Sequence, residues 1–172
     1  MIFMGPLRAE VCAASWFAAL GEPLTDGDRG AAKAYAGAVD LSLVTSWPEA
    51  EQFLKSPNSS LDWWEAEEAE RKALLARAQA QYSERALWTS LTELTTEAGD
   101  LVHGKAAMAA ARMGDAAPAS IHVAAGAGAQ AVYQVAVARA AGDGASRFES
   151  KFRLFAAGRW PLGVKGSRLV LF

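Results

Sequence analysis

The clearest constraint on the fold is a repeat of apolar residues between positions 87 and 101. The side chains recur at spacings of four and three residues: Leu87, Leu91, Leu94, Ala98 and Leu101. This spacing places them on one face of an α-helix, and an apolar helix face is normally buried against another element. The repeat therefore predicts a core-facing helix, which we expect to continue through Gly99 and Gly104 to Met113.

The composition of the whole chain also favours helices. Hydrophobic residues make up 52% and charged residues 21% of the 172 residues, a balance that is typical of a globular protein. Alanine, the best helix former, is frequent. We predict a single domain over residues 1–172, mainly α, in which residues 1–145 form a bundle of five or six helices.

Further helices are predicted from capping signals and apolar spacing. We expect one over residues 7–20, one from the SWPE motif at residues 46–49 to Lys55, and one from Ser59 or Ser60 to about Tyr82, with Trp63 and several alanines on its apolar face. Residues 37–45 are ambiguous, because the alanines before them favour a helix whereas the sequence VDLSL alternates like a strand. We favour a helix for this segment.

The C-terminal part, residues 146–172, has a different character. Three segments, RFESKFRLF, RWPLGV and SRLVLF, are predicted to be short strands, and Lys165-Gly166 can form the turn between the last two. Because an isolated hairpin is marginally stable, this sheet needs a helix against its apolar face. We therefore expect a small C-terminal antiparallel β-meander that packs on the helical bundle.

The pattern Gly126-x-Gly128-x-x-Ala131 fits either a dinucleotide-binding turn or a helix. A dinucleotide site needs a strand, the glycine turn, a helix and an acid about 20 residues later. Glu149 stands at a suitable distance, but the flanking regions do not predict a parallel sheet. Small residues at these positions also allow two helices to pack closely. We favour the helix and expect no cofactor.

The polar side of the leucine helix contains a candidate metal site. Asp100 and His103 lie one helical turn apart, and metal sites in helical bundles use carboxylate and imidazole groups at this spacing. Together with Glu97, and His122 from the following helix, they form a possible site for one divalent metal ion. The alternative is a face that is simply solvated. This site would make the protein a metal-dependent or small-ligand enzyme.

Charge and tryptophan content indicate a binding protein instead. Seven acids and one lysine stand between residues 49 and 70, whereas six bases and one acid follow from Arg147 onward. These two regions can attract each other within the fold or between subunits of a homodimer. The chain also contains six tryptophans, and tryptophan is enriched at binding hot spots. We expect a partner-binding surface that contains Trp63, Trp64, Arg159 and Trp160.

The leading hypothesis is an accessory or regulatory protein that binds a protein partner or itself and is not an enzyme. A cytoplasmic location is expected, because Cys12 is the only cysteine and the first residues do not resemble a secretory signal. Residues 116–138 lack Asp, Glu, Lys and Arg, but their polar residues and glycines favour a buried helix over a membrane span. The formal net charge of −2 gives no general attraction to nucleic acid.

Overall fold

A computed structural model describes residues 4–37, 40–56 and 61–172 of the protein. These residues form a mainly α-helical fold, as the sequence predicted. The helices and strands follow one another in this order: α1 (Gly5–Ala13), α2 (Asp26–Ala36), β1 (Asp40–Leu43), α3 (Trp47–Leu54), α4 (Leu61–Gln79), α5 (Glu84–Met113), α6 (Pro118–Ala140), α7 (Arg147–Ala156), β2 (Pro161–Lys165) and β3 (Arg168–Leu171).

The two longest helices, α5 and α6, lie at the centre of the fold. Helix α5 runs without a break to Met113, as the leucine repeat predicted, and Leu87, Leu91 and Leu94 are at most 1% exposed. After a short turn, α6 packs along α5, while α4 and α7 pack against α6. In the described part of the chain, α6 is the one helix long and apolar enough to cross a membrane, and 56% of its most apolar window is buried inside the protein.

At Gly128, helix α6 packs tightly against α5 and Trp16. A Cβ atom at this position would lie 2.6 Å from Val102 Cγ1 and 3.3 Å from the ring of Trp16. At Gly126 a Cβ atom would meet no neighbouring atom within 4 Å. The glycine pattern is helical throughout, so the interpretation as a helix with close packing is confirmed, and the strand and turn of a dinucleotide fingerprint are not formed there.

We predict that Gly128→Leu lowers the free energy of unfolding by about 1–3 kcal/mol, because the larger side chain overpacks the helix crossing. The matched variant Gly126→Leu should be neutral or stabilising by up to about 1 kcal/mol, since glycine weakens a helix interior. Urea denaturation measures both values. Equal denaturation midpoints for the two variants would show that the Gly128 face is open.

Helix α1 is shorter than predicted. It ends at Ala13, and the chain then turns back, so that Trp16 and Phe17 both contact the ring of Phe155 in α7. In a continuous helix these neighbouring rings would point roughly 100° apart. Burial of both rings against α7 therefore outweighs the helix propensity of residues 14–20.

Residues 40–43 form strand β1, so the preference for a helix over residues 37–45 was wrong. β1 pairs in parallel with β3, from Asp40 opposite Arg168 to Leu43 opposite Leu171. The hydrogen-bonding partner is almost at the other end of the chain, and local helix propensity contains no information about it. Residues 38 and 39 lie outside the described residues.

The predicted antiparallel meander is also corrected. The segment RFESKFRLF forms helix α7, because Ser146 caps its first turn and Phe148, Phe152 and Phe155 recur at helical spacing towards the core. Strands β2 and β3 form the expected hairpin, in which Gly166 has a φ of 62°. The third strand is β1, so the sheet is mixed, with the order β1-β3-β2.

Helix α4 buries a different face from the one predicted. Its buried side chains are Glu67, Leu74 and Ala78, whereas the alanines expected to be buried are exposed: Ala66, Ala69, Ala73, Ala76 and Ala80. The predicted start at Ser59 or Ser60 lies outside the described residues. As a result, α4 directs a carboxylate into the interior of the protein.

Candidate functional site

Four polar side chains from four helices meet inside the protein. Glu67 of α4 accepts hydrogen bonds from Tyr35 Oη of α2, at 2.5 Å, and from Gln134 Nε2 of α6, at 2.8 Å. Lys151 of α7 forms an ion pair with Glu67 and donates to Gln134 Oε1 at 2.9 Å. All four residues are at most 5% exposed, so water does not solvate the two charges.

Burial and pairing shift the pKa in opposite directions for Glu67 and Lys151 and in the same direction for Tyr35. Burial alone raises the pKa of Glu67, but the Lys151 ammonium and the hydrogen bonds from Lys151, Tyr35 and Gln134 hold this pKa below its ordinary value. Burial lowers the pKa of Lys151, although the Glu67 carboxylate opposes this effect. Burial and the same carboxylate raise the pKa of Tyr35, so its hydroxyl remains a hydrogen-bond donor at neutral pH.

A cavity of about 190 Å³ opens beside Lys151. Most of its lining is apolar and comes from helices α3, α4, α6 and α7, from strand β2 and from the residue before β2: Leu54, Trp64, Val123, Ala127, Phe155, Trp160, Pro161 and Leu162. The polar residues of the lining are Gln130 and Lys151. The cavity is therefore an apolar space with the edge of the buried network on one side, and Lys151 Nζ lies 5.7 Å from the centre of the Trp64 ring.

Exposed apolar side chains surround this cavity. Leu54, Trp64 and Val123 line it and are 38%, 37% and 48% exposed. Leu61, 67% exposed, lies one helical turn before Trp64 on the same side of α4. We call these four residues the Trp64 surface. Exposed apolar side chains that are grouped around a cavity are a feature of binding sites.

The four residues predicted to bind a partner are divided between the surface and the interior. Trp64 is on the surface, whereas Trp63 is half-buried and packs edge-to-face on Tyr35, with ring centres 5.6 Å apart. Arg159 and Trp160 are only 1% and 2% exposed. The Arg159 guanidinium is held by interior carbonyl groups and is not available to a partner, whereas the Trp160 ring packs in the aromatic core and also lines the cavity beside Lys151.

The acidic and basic regions of the sequence meet within the chain. Glu70 of α4 pairs with Arg147 of α7 at 2.6 Å, next to the buried pair of Glu67 and Lys151. These contacts hold α4 against α7. Two of the seven acids and two of the six bases are therefore paired with each other within one molecule, which is one of the two arrangements expected from the sequence.

The predicted metal ligands are brought together only in part. His103 of α5 and His122 of α6 are exposed neighbours, with ring centres 5.1 Å apart. Glu97 pairs with Arg8 at 2.7 Å, and Asp100 is exposed one turn before His103. Within the described residues, no three or more His, Cys, Asp and Glu side chains form a group that could hold a metal ion.

Glu67, Gln134 and Lys151 were not predicted from the sequence to form a cluster. A signal was present in the helical spacing. Glu67 lies seven residues before Leu74, and Lys151 lies three after Phe148 and four before Phe155, so both charges fall on apolar helix faces. Charges of opposite sign on two buried faces are expected to pair.

Comparison with protein-family models, curated proteins and solved structures finds no match to this chain.

Proposed function

We propose that this protein is a non-enzymatic binding protein that receives a segment of a different protein on the Trp64 surface. The observation that supports this is the cavity of about 190 Å³ beneath exposed apolar side chains. Small-molecule sites usually have volumes of about 300–1,000 Å³, so this cavity suits one large apolar side chain. A partner segment can bury an anchor residue there and cover the surrounding surface.

Charges near the cavity favour a basic partner segment. Glu65 is exposed on α4 and lines a shallow groove together with Trp64, and complementary charges accelerate and orient association. We therefore expect Lys or Arg beside the apolar anchor of the partner. A second copy of the chain suits the surface less well, because Arg147 and Lys151 are already paired internally. The proposed role is accessory or regulatory, in the cytoplasm.

Selection of random peptides displayed on phage, with the whole protein as bait, tests this proposal. We expect the enriched peptides to contain a large apolar residue next to Lys or Arg, and Trp64→Ala to weaken their binding by at least about tenfold. Trp88→Ala is the matched control. Trp88 is 39% exposed on α5 and does not line the cavity, so its removal should leave binding unchanged.

Val123→Lys provides a second variant that preserves the helix. Val123 is 48% exposed, so a lysine there is tolerated but places a positive charge at the cavity and opposes a basic peptide. Equal peptide binding by the wild type, Trp64→Ala and Val123→Lys would contradict the proposal. A dimer in sedimentation that Trp64→Ala dissociates would also contradict it, because a second copy would then occupy the surface.

A further inference from the structure

We propose that His103 and His122 form a binding site for a divalent transition metal ion, such as Zn²⁺, Ni²⁺ or Cu²⁺. The two side chains lie on adjacent central helices, α5 and α6, and both are exposed. Their ring centres are 5.1 Å apart. The site is independent of the proposed partner segment, and the ion alone is enough to test it.

The distance between the centres of the two rings is compatible with a shared ion. In tetrahedral zinc sites the metal–nitrogen distance is about 2.0–2.1 Å, and the imidazole centre lies roughly 1.2 Å beyond the nitrogen, which places two ring centres about 5 Å apart. The observed distance matches this value. Both side chains are exposed, so their rings can rotate to direct one nitrogen of each towards the ion.

The surroundings of the pair favour a transition metal ion. Imidazole nitrogens bind Zn²⁺, Ni²⁺ and Cu²⁺, whereas Mg²⁺ and Ca²⁺ require oxygen ligands. Asp100, exposed one helical turn before His103, adds a negative charge nearby. Because the pair is at the surface, water can occupy the remaining coordination positions, and the ion joins α5 to α6 on their exposed side.

Titration of untagged, chelator-treated protein with ZnCl₂ or NiCl₂, followed by calorimetry and thermal unfolding, tests the site. We expect one ion per chain and a rise in Tm of about 5–10 °C when the free ion reaches a hundred times its Kd. MgCl₂ at the same concentration should not change Tm. Absence of both binding heat and a Tm shift with Zn²⁺ and Ni²⁺ would overturn the proposal.

Single substitutions show whether the histidines are the ligands. His103→Ala and His122→Ala should each weaken binding by at least about tenfold, and both should fold because the side chains are exposed. Cys12→Ser is the matched control, since Cys12 is an exposed thiol that also attracts zinc. Loss of binding in Cys12→Ser, with unchanged binding in both alanine variants, would assign the ion to the thiol and reject the histidine site.

Discussion

We expect Glu67→Gln to lower the free energy of unfolding by about 3–5 kcal/mol, because it leaves the Lys151 ammonium buried without a counter-charge. The Lys151 side chain is only 6% exposed, so water cannot replace the lost carboxylate. Glu97→Gln is the matched control. Glu97 pairs with Arg8, and the two side chains are 56% and 37% exposed, respectively. The same substitution there should change stability by less than about 1 kcal/mol. Urea denaturation at neutral pH measures both changes.

A double-mutant cycle separates the interaction energy of Glu67 with Lys151 from the general cost of substituting a core residue. Glu67→Leu and Lys151→Met each leave one buried charge unpaired, whereas the double variant removes both charges. The double variant should therefore lose less stability than the sum of the two single losses. Losses that add would show that the two charges do not interact, and single losses below about 1 kcal/mol would show that water reaches them.

The pH dependence of stability follows from the same carboxylate. Since the pKa of Glu67 is lower in the folded protein than its ordinary value of 4.5, the unfolded chain binds more protons in acid. Glu67 therefore contributes fully to stability when the pH is above the ordinary pKa, and this contribution is lost as the pH falls through the pKa of the folded state. Between about pH 5 and 3, the wild type should therefore lose more stability than Glu67→Gln. Parallel urea curves across this range would contradict the assignment.

The parts of the fold that the sequence predicted correctly are those determined by local patterns. The leucine repeat of α5 specifies a buried face within one helix, and the turn at Gly166 specifies a hairpin between adjacent strands. Strand β1 was predicted wrongly because a distant contact decides it, whereas helix α7 was predicted wrongly although its Ser146 cap and the helical spacing of its phenylalanines are local signals. β1 exists through its pairing with β3, and the aromatic residues of α7 pack on the turn that follows α1.

The candidate site also has one feature that a local pattern predicts and others that it does not. Exposure of one of two adjacent tryptophans follows from helical geometry, and Trp64 is the exposed one. The cavity beside Trp64 arises where segments distant in sequence meet, so no local pattern could reveal it. Arg159 was placed on the surface because it lies in a basic region, but composition does not show which of several basic residues finds an acid inside the fold.

Arg159→Leu is also expected to lower the free energy of unfolding by about 3–5 kcal/mol. The Arg159 guanidinium donates to Asp28 Oδ2 at 3.0 Å and to the carbonyl oxygens of Ala19, Glu22 and Pro23 at 2.6, 2.5 and 2.7 Å. It therefore ties the turn after α1 to the first turn of α2. Leucine would remove one donor from each of these acceptors and leave the buried Asp28 carboxylate without its counter-charge, while Asp28 Oδ2 still accepts from Thr25 N–H and Ala19 O from Glu22 N–H.

Two further variants distinguish the geometry of Arg159 from its charge. Arg159→Lys keeps the positive charge but lacks the planar guanidinium that donates to several acceptors at once. It should therefore recover less than half of the stability that Arg159→Leu loses. Arg85→Leu removes an exposed arginine from α5 and should change stability by no more than about 0.5 kcal/mol. Denaturation midpoints for all three variants measure these effects. A single ammonium group cannot make all the hydrogen bonds of a guanidinium. If Arg159→Lys were nevertheless as stable as the wild type, the positive charge alone would account for the stabilisation, and the hydrogen bonds to the carbonyl groups would contribute little.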